Sequence, residues 1–311
     1  MPGNWIIVFA KITNRKLLLM RIPQTSIAVL YLLAAIGLIS LVDTICKFYT
    51  KELHAVMLVW GYFVGITVFV ASYFIGRRQL TFLQTNQLFL QFVRPGFLVL
   101  SISSLFVSLT YLPIAEATAI GFTGPLFITA LSAPFLREHV GWHRWLAVVI
   151  GLAGVLIIVR PGSAVWHWSA GMVLLGAVCF AFFQLITRRL ANGERHQTTL
   201  LYTSIGGTIW ACLIVPFFWT MPSAHHWVTF LIIGAMGVGA HYCMIQAFSR
   251  AQASLLAPFN YSKLIWATLL GFLVFDDFPG LDTLIGSAFI VAAGLYVLYR
   301  ETSKGSSPPI D

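Results

Sequence analysis

Ten apolar segments, each close to the length that crosses a bilayer, dominate the sequence. A membrane-spanning helix needs roughly 20 mainly apolar residues. Runs near that length lie at 27–46, 55–76, 95–112, 118–136, 144–160, 168–187, 199–218, 227–248, 253–275 and 281–299. The connections between them are short. The chain is therefore predicted to be an all-α integral membrane protein with ten transmembrane helices and no room for a soluble domain.

The composition agrees with lipid as the surrounding solvent. Of the 311 residues, 59% are hydrophobic and only 9% are charged, whereas soluble domains carry about 25% charged residues. The net charge is +9, but the basic residues lie in short loops and form no basic and aromatic cluster, so nucleic acid is not expected as a partner. The four cysteines are solitary and show neither metal-site nor disulfide spacing.

The positions of the basic residues predict an orientation. Fifteen of the 19 Lys and Arg residues fall on the side that holds both termini, three fall on the other side, and Lys263 lies inside a span. An excess of Lys and Arg marks the cytoplasmic side, so both termini are predicted to be cytoplasmic. Residues 1–26 are predicted to be a cytoplasmic lead rather than a cleaved signal. The sequence leaves open whether Met1 or Met20 is the start.

Two passages of the chain, 111–162 and 247–301, follow the same plan. Each has a small turn, an apolar stretch interrupted by a proline, an acidic residue at a break and a final Gly-x5-Arg turn. The prolines and acidic residues are Pro125 and Glu138 in the first passage and Pro258 and Asp277 in the second. The acidic residues are expected to cap helix starts.

This repetition predicts two structural halves. Five spans per half is an odd number, so the second half must be upside down relative to the first. We therefore predict two inverted five-helix repeats, at 27–162 and 163–301, followed by a cytoplasmic tail at 302–311. Inverted repeats with a site between them are the usual plan of a secondary transporter.

The motifs of the first half resemble a known family. They are Pro125-x8-Pro134, Leu136-Arg137-Glu138, Trp145, Gly151-x2-Gly154-Val155 and Arg160-Pro161, with a weaker echo in the second half. This pattern resembles the EamA family of the drug/metabolite transporter superfamily over roughly 27–300. The resemblance implies ten helices in two inverted repeats, a bacterial inner-membrane location, and transport of small organic metabolites by alternating access.

Two passages are similar to one branch of that family, which contains S-adenosylmethionine uptake carriers and riboflavin importers. They are Asp43-x3-Lys47 and Ala257-Pro258-Phe259-Asn260-Tyr261. Such carriers often have an acidic residue shortly after that tyrosine, where this chain has Lys263. The direction of transport stays open because aromatic amino-acid exporters belong to the same family.

Lys263 is the strongest candidate for a functional residue. It lies about halfway along the ninth span, where a lysine costs roughly 2.5–3.5 kcal/mol. The favoured interpretation is that it faces a central aqueous cavity and binds a carboxylate or phosphate of the substrate. A purely structural ion pair and a misjudged span are the alternatives.

Asp43, near the outer end of the first span, has two interpretations. Lys47 follows it by four residues, so the two side chains share a helix face and are expected to form a local ion pair. The functional alternative is a proton-coupling carboxylate or a partner for Lys263.

Five further residues are predicted to line the site: Tyr261, Asn260, His241, Gln184 and Trp60. Polar groups that follow a membrane proline can line a cavity, although Asn260 and Gln184 also suit hydrogen bonds that hold helices together. His241 is either an interhelical donor or a site residue. Trp60 belongs either to ordinary packing or to an aromatic wall for a flat substrate.

Enzymatic chemistry finds no support in the sequence. It contains no P-loop, dinucleotide motif or nucleophile elbow, so no catalytic residue and no cofactor is predicted. His139 and His143 beside Glu138 lack the residue order of a metal-binding motif, and no metal is predicted.

The predicted function is secondary transport of a small metabolite with an anionic group, resembling an amino acid, S-adenosylmethionine or a flavin. An aromatic amino-acid or drug exporter of the same superfamily is the first alternative, and a polytopic membrane enzyme is the second. Substrate, direction, coupling ion and the choice between monomer and homodimer remain open.

Overall fold

Every regular element in the described part of this protein is a helix. The computed structural model describes residues 24–76, 84–136, 142–159, 167–190, 194–251 and 256–304, and those ranges contain no strand. The α-helices are α1 (Gln24–Tyr49), α2 (Ala55–Gly76), α3 (Leu88–Leu109), α4 (Ile114–Gly121), α5 (Gly124–Leu136), α6 (Trp142–Ile158), α7 (Trp168–Leu190), α8 (His196–Ile214), α9 (Ala224–Phe248), α10 (Ser262–Phe275) and α11 (Leu281–Lys304). Two 3₁₀ turns, Val215–Phe218 and Ala257–Tyr261, follow α8 and precede α10.

The helices have the length and surface of membrane-spanning segments. Within the ranges that the structure describes, seven helices are long and apolar enough to cross a bilayer, and three apolar helices are shorter, namely Trp145–Ile158, Phe259–Phe275 and Leu281–Tyr296. Large apolar side chains cover the outside, and Phe217, Leu156 and Ile265 are at least 70% exposed. Soluble proteins rarely expose broad apolar surfaces. The chain is therefore a multi-pass integral membrane protein, as the sequence predicted.

The largest helix contacts join segments far apart in the sequence. Helix α1 packs against α9 and α10, and α3 packs against α7 and α8. Helix α9 also covers α2, while α6 lies along α11 and α5 lies along α7. The end of α1 and the start of α10 thereby become neighbours.

Glycine pairs permit close approach at two of these crossings. A Cβ atom on Gly234 in α9 would lie 2.5 Å from the Cα of Gly65 in α2. A Cβ atom on Gly154 in α6 would lie 2.7 Å from the carbonyl oxygen of Gly286 in α11. Small residues allow backbones to approach in membranes, where dispersion contacts and hydrogen bonds replace the hydrophobic effect.

Two predicted spans are interrupted. The span predicted at 118–136 divides into α4 and α5 at Phe122 and Thr123, with Pro125 in the first turn of α5. Proline suits a first turn because its missing N–H has no partner there. The span predicted at 253–275 contains the 3₁₀ turn around Pro258, since proline cannot supply the donor of a regular α-helical turn. Lys263 therefore lies in the first turn of α10, not midway along a continuous α-helix.

A third difference concerns Arg94. The third span was predicted to begin at residue 95, which left Arg94 in the preceding loop, but α3 begins six residues before Arg94 and this residue is 2% exposed. The predictions for Glu138, His139, Arg160 and the first 23 residues lie outside the described residues.

The α2–α9 crossing leads to a stability prediction. We expect Gly234→Ala to destabilise the protein by about 1–3 kcal/mol, as over-packing usually does, because its new methyl group meets backbone. The melting temperature of the purified protein in detergent measures the effect. Gly171→Ala in α7 is the control, since its methyl group would meet nothing within 4 Å. Equal melting temperatures for the two variants would contradict the close crossing.

Candidate functional site

An ion pair joins α1 to α10 inside the helix bundle. Lys263 Nζ lies 2.9 Å from Asp43 Oδ2. The Asp43 side chain is only 8% accessible and that of Lys263 is 25% accessible. A charge without a partner is costly in such surroundings, so each side chain neutralises the charge of the other.

A second ion pair lies one turn further along α1. Lys47 Nζ lies 3.1 Å from Asp277 Oδ2 and donates a hydrogen bond of 3.0 Å to the carbonyl oxygen of Leu112. The ammonium also lies 4.8 Å from the ring centre of Phe275. Lys47 thus connects α1 with the α3–α4 link and with the end of α10.

The turn after α10 places Asp277 against α1. Asp276 adopts the left-handed conformation with φ 57°, which ends the helix. The Asp277 N–H then donates to the carbonyl oxygen of Gly271 at 3.1 Å. The Asp277 carboxylate is occupied by Lys47 and does not serve as the helix cap that the sequence predicted.

The local Asp43–Lys47 pair predicted from the sequence does not form. Both side chains are on one face of α1, as their spacing requires. Each instead reaches a residue of opposite charge in the α10 region, Lys263 for Asp43 and Asp277 for Lys47. The result is two antiparallel charge pairs, hereafter the charge ladder, between α1 and α10.

Two predicted site residues lie directly beside the ladder in sequence. Tyr261 ends the 3₁₀ turn, and its ring centre lies 5.1 Å from that of Phe122. Gly294 in α11 leaves the space that the Tyr261 hydroxyl occupies. Asn260 precedes it and is half-buried. The break at Pro258 thus presents a tyrosine and an amide just before Lys263.

The other three predicted site residues have different surroundings. Trp60 packs edge-on against Trp219, Trp227 and Phe230, and its Nε1 donates to Cys212 Sγ at 3.2 Å. None of these contacts is with another predicted site residue. His241 in α9 and Gln184 in α7 are half-buried, and no hydrogen bond joins either of them to the charge ladder.

Glu116 in α4 is a buried carboxyl outside the predicted set of site residues. It is 5% exposed and accepts a hydrogen bond of 3.2 Å from Thr283 Oγ1 in α11. Its other oxygen has no partner among the described residues. The predicted fourth span began at 118, which left Glu116 in a loop. The only feature of the sequence that could have indicated a buried carboxyl was an acidic residue just before an apolar run.

A second missed cluster surrounds Arg94. Its guanidinium donates to the Thr187 hydroxyl at 3.2 Å, to the Thr199 carbonyl at 3.0 Å and to the Thr203 hydroxyl. It also lies 4.9 Å from the ring centre of Phe183. Arg94 therefore joins α3 to α7 and α8 through neutral acceptors.

One group of potential metal ligands occurs among the described residues. Glu52 Oε2, in the α1–α2 turn, lies 3.0 Å from His225 Nε2 and 2.9 Å from His226 Nε2 at the start of α9. The hydrogen bond from His225, and then that from His226, lower the pKa of the Glu52 carboxyl. The predicted site does not include this cluster.

These features define a class of protein. Several membrane-spanning helices surround charged side chains that bridge separate helices, and ionisable residues at such positions mark substrate or ion pathways. The chain has the organisation of a polytopic membrane transporter.

Comparison with known proteins identifies the family. The model of the EamA-like transporter family matches residues 26–160 and again 167–300. The chain belongs to this family, so the resemblance seen in the sequence is confirmed. It is a metabolite transporter and not an enzyme.

Curated relatives agree with the suggested branch. The S-adenosylmethionine uptake transporter of Rickettsia felis is 26% identical over 261 residues, 83% of this chain and 88% of the relative. The riboflavin transporter of Rhizobium johnstonii is 28% identical over 302 residues, 92% and 98% of the two chains. That of Vibrio cholerae is 30% identical over 224 residues, 71% and 75% of the two chains.

A solved structure shares the fold. A crystal structure at 19% sequence identity superimposes with a TM-score of 0.60, covering 91% of this chain and 99% of that one.

The Asp43–Lys263 pair leads to a test of energetic coupling. Breaking a buried pair costs about 3–5 kcal/mol, and less is expected here because a quarter of the Lys263 side chain is accessible. We expect Asp43→Asn and Lys263→Met each to lower the melting temperature. The double variant should lose less than the sum, with a coupling energy of about 0.5–3 kcal/mol.

The control cycle combines Asp43→Asn with Lys51→Met. Lys51 is an exposed lysine in the α1–α2 turn, so its effect should add to that of Asp43→Asn. Additive effects in the Asp43–Lys263 cycle would show that the two charges do not stabilise each other.

Proposed function

We propose that the chain is a secondary transporter that carries a small organic metabolite with an anionic group by alternating access. The Asp43–Lys263 pair is the observation that carries this proposal. It places a lysine ammonium in the bundle at a contact between two helices distant in sequence, with part of its side chain still accessible. A carboxylate or phosphate of the substrate can replace Asp43 as its partner.

Exchange of partners supplies a physical basis for coupling. A substrate anion that binds Lys263 releases Asp43, which must then gain a proton or another cation because an isolated buried carboxylate is costly. The Lys47–Asp277 pair closes the same helix contact one turn further out. Opening towards that side requires this second pair to separate.

The proposed lining follows the chain around Lys263. Tyr261 and Asn260 occupy the 3₁₀ turn just before it and are the nearest candidates for contacts with the substrate. His241, Gln184 and Trp60 are secondary candidates, because their described contacts do not include the charge ladder. A zwitterion such as S-adenosylmethionine would place its carboxylate on Lys263, and a flavin-like or amino-acid-like anion would do the same.

The proposal includes ten transmembrane helices in two inverted five-helix repeats, at 27–162 and 163–301. The order of helices pairs α1 with α7, α2 with α8, α3 with α9, the α4–α5 segment with α10, and α6 with α11. If each helix is replaced by its counterpart in the other half, the α1–α9 contact corresponds to the α7–α3 contact. The α1–α10 contact corresponds in the same way to the α7–α5 contact, and all four contacts are present. Contacts that map onto each other in this way are expected from a pseudo-two-fold axis.

The proposed location is the bacterial inner membrane, with both termini in the cytoplasm. Removing Arg94 from the loop charges leaves fourteen Lys and Arg residues on the side of the termini against three on the other, and cytoplasmic loops carry this excess. Lipid surrounds the bundle.

Ligand binding tests the role of Lys263. Purified protein is screened by thermal shift against amino acids, nucleosides, flavins and S-adenosylmethionine. A ligand at 100 times its Kd adds about 2.7 kcal/mol of stability. We expect an anion-bearing compound to raise the melting temperature of the wild type, and Lys263→Met to lose at least ten-fold in affinity for it.

Transport completes the test. The compound found in the screen is followed into proteoliposomes with the wild type, Lys263→Met and the surface control Lys51→Met. We expect uptake by the wild type and the control and none by Lys263→Met at equal reconstitution. Wild-type uptake rates in Lys263→Met would remove Lys263 from the site, and a substrate with no anionic group would overturn the proposed substrate class.

Cysteine labelling tests the proposed orientation. The four native cysteines are replaced by serine, and one cysteine is introduced at Lys51 or at Asn86, which are both exposed positions in turns. A membrane-impermeant maleimide should label Lys51→Cys in intact cells and Asn86→Cys only after the membrane is opened. The reverse pattern would place the termini outside.

A further inference from the structure

Glu52, His225 and His226 join two parts of the chain that are about 170 residues apart. The α1–α2 turn provides Glu52, and the first turn of α9 provides both histidines. The three ligand atoms lie within 4.8 Å of one another. No motif spacing in the sequence connects them, which is why the sequence predicted no metal.

We propose that these three side chains form a binding site for Zn²⁺ that ties the α1–α2 turn to the start of α9. This site is separate from the charge ladder and does not depend on the identity of the transported substrate. Two imidazoles and one carboxylate are a ligand set that zinc uses in proteins, with a solvent molecule as the fourth ligand.

The spacing of the ligand atoms suits a tetrahedral ion. Zinc binds imidazole nitrogen at about 2.0–2.1 Å and carboxylate oxygen at about 2.0–2.2 Å, so neighbouring ligands of a tetrahedral site lie about 3.3 Å apart. The carboxylate oxygen of Glu52 lies 3.0 Å from one Nε2 and 2.9 Å from the other. Each of these two distances needs to lengthen by only a few tenths of an ångström, and the two Nε2 atoms, which lie within 4.8 Å of each other, take the remaining two ligand positions.

Ser223 provides the supporting contact that ligating histidines usually have. Its Oγ lies 2.8 Å from Nδ1 of His225 and 2.9 Å from Nδ1 of His226. A hydroxyl oxygen has two lone pairs, so it can accept an Nδ1–H from both rings at once. That tautomer turns the Nε2 lone pairs of both histidines towards Glu52, as second-shell contacts do in zinc sites.

The hydrogen bonds of His226 must change when the ion binds. The Ser223 N–H donates to Nδ1 of His226 at 3.1 Å as part of the α9 capping box, which requires the proton to be on Nε2. Binding of zinc exchanges this bond for one from Nδ1–H to the serine oxygen. The cap is therefore coupled to the metal.

Access to solvent permits an ion at this position. The electropositive start of α9 disfavours a cation, and the Glu52 carboxylate offsets that charge for an ion held by His225 and His226. The His226 side chain is 9% accessible, whereas His225 and Glu52 are 56% and 46% accessible. The open side can admit the ion and its fourth ligand.

Metal binding by purified protein tests the site. The polyhistidine tag is removed, the full chain is treated with chelator, and Zn²⁺ is measured by equilibrium dialysis with metal analysis. We expect one Zn²⁺ per chain and a zinc-dependent rise in melting temperature. Glu52→Gln and His225→Gln should each weaken binding at least ten-fold, and Ser223→Ala should weaken it 10–100-fold, as loss of a second-shell contact does.

His54→Gln is the matched control. His54 is an exposed histidine of the same turn whose ring stacks on Phe218 instead of joining the cluster, so its replacement should leave zinc affinity unchanged. Melting temperatures without metal identify variants that fail to fold. Co²⁺ in place of Zn²⁺ should give the visible absorption of a tetrahedral site in the wild type. The proposal fails if the wild type retains no stoichiometric zinc or if Glu52→Gln binds it as tightly.

Discussion

The cost of placing charge in an apolar interior governs the arrangement of α1 and α10. A lysine within a membrane helix must find a partner, water or a substrate, and Lys263 finds Asp43 at 2.9 Å. This requires the end of α1 to lie against the start of α10. Helix α9 packs on α1 and meets α2 through the Gly65–Gly234 crossing. The pair therefore depends on a packing scheme that reaches across most of the bundle.

An internal ion pair of this kind suits a helix contact that opens and closes better than one that stays closed. Desolvation offsets much of the Coulombic attraction in a buried pair, so its net contribution to stability is small, while loss of either partner is costly. A ligand that offers an equivalent charge can therefore replace one partner at little cost. The charge ladder has two such pairs: α1 provides the acid in one pair and the base in the other. Either pair can separate only if another charged group, or a proton, replaces the lost partner of each side chain.

Hydrophobicity along the chain predicted most of the fold, but the partners of polar residues depended on tertiary contacts. Ten apolar runs located the helices, and Lys263 stood out because it interrupts one of them. The spacing of Asp43 and Lys47 placed both on one face of α1. It could not reveal that the α10 region offers other partners, because that region is more than 200 residues away in the sequence. Arg94 was misplaced for the same reason, since its threonine acceptors come from two other helices.

The repeated halves explain where the charges lie. In the proposed repeat the α1–α10 contact has a counterpart between α7 and α5, and α7 carries its charged residues only in its last turn while α5 carries none. Two equivalent helix contacts therefore differ in chemistry, one charged and one neutral. Because each charge pair must be desolvated, a second ladder would add cost without adding a second substrate site. The family model matches the chain twice, and of the two contacts that the proposed repeat makes equivalent, only one carries the charge that the proposed anionic substrate would bind.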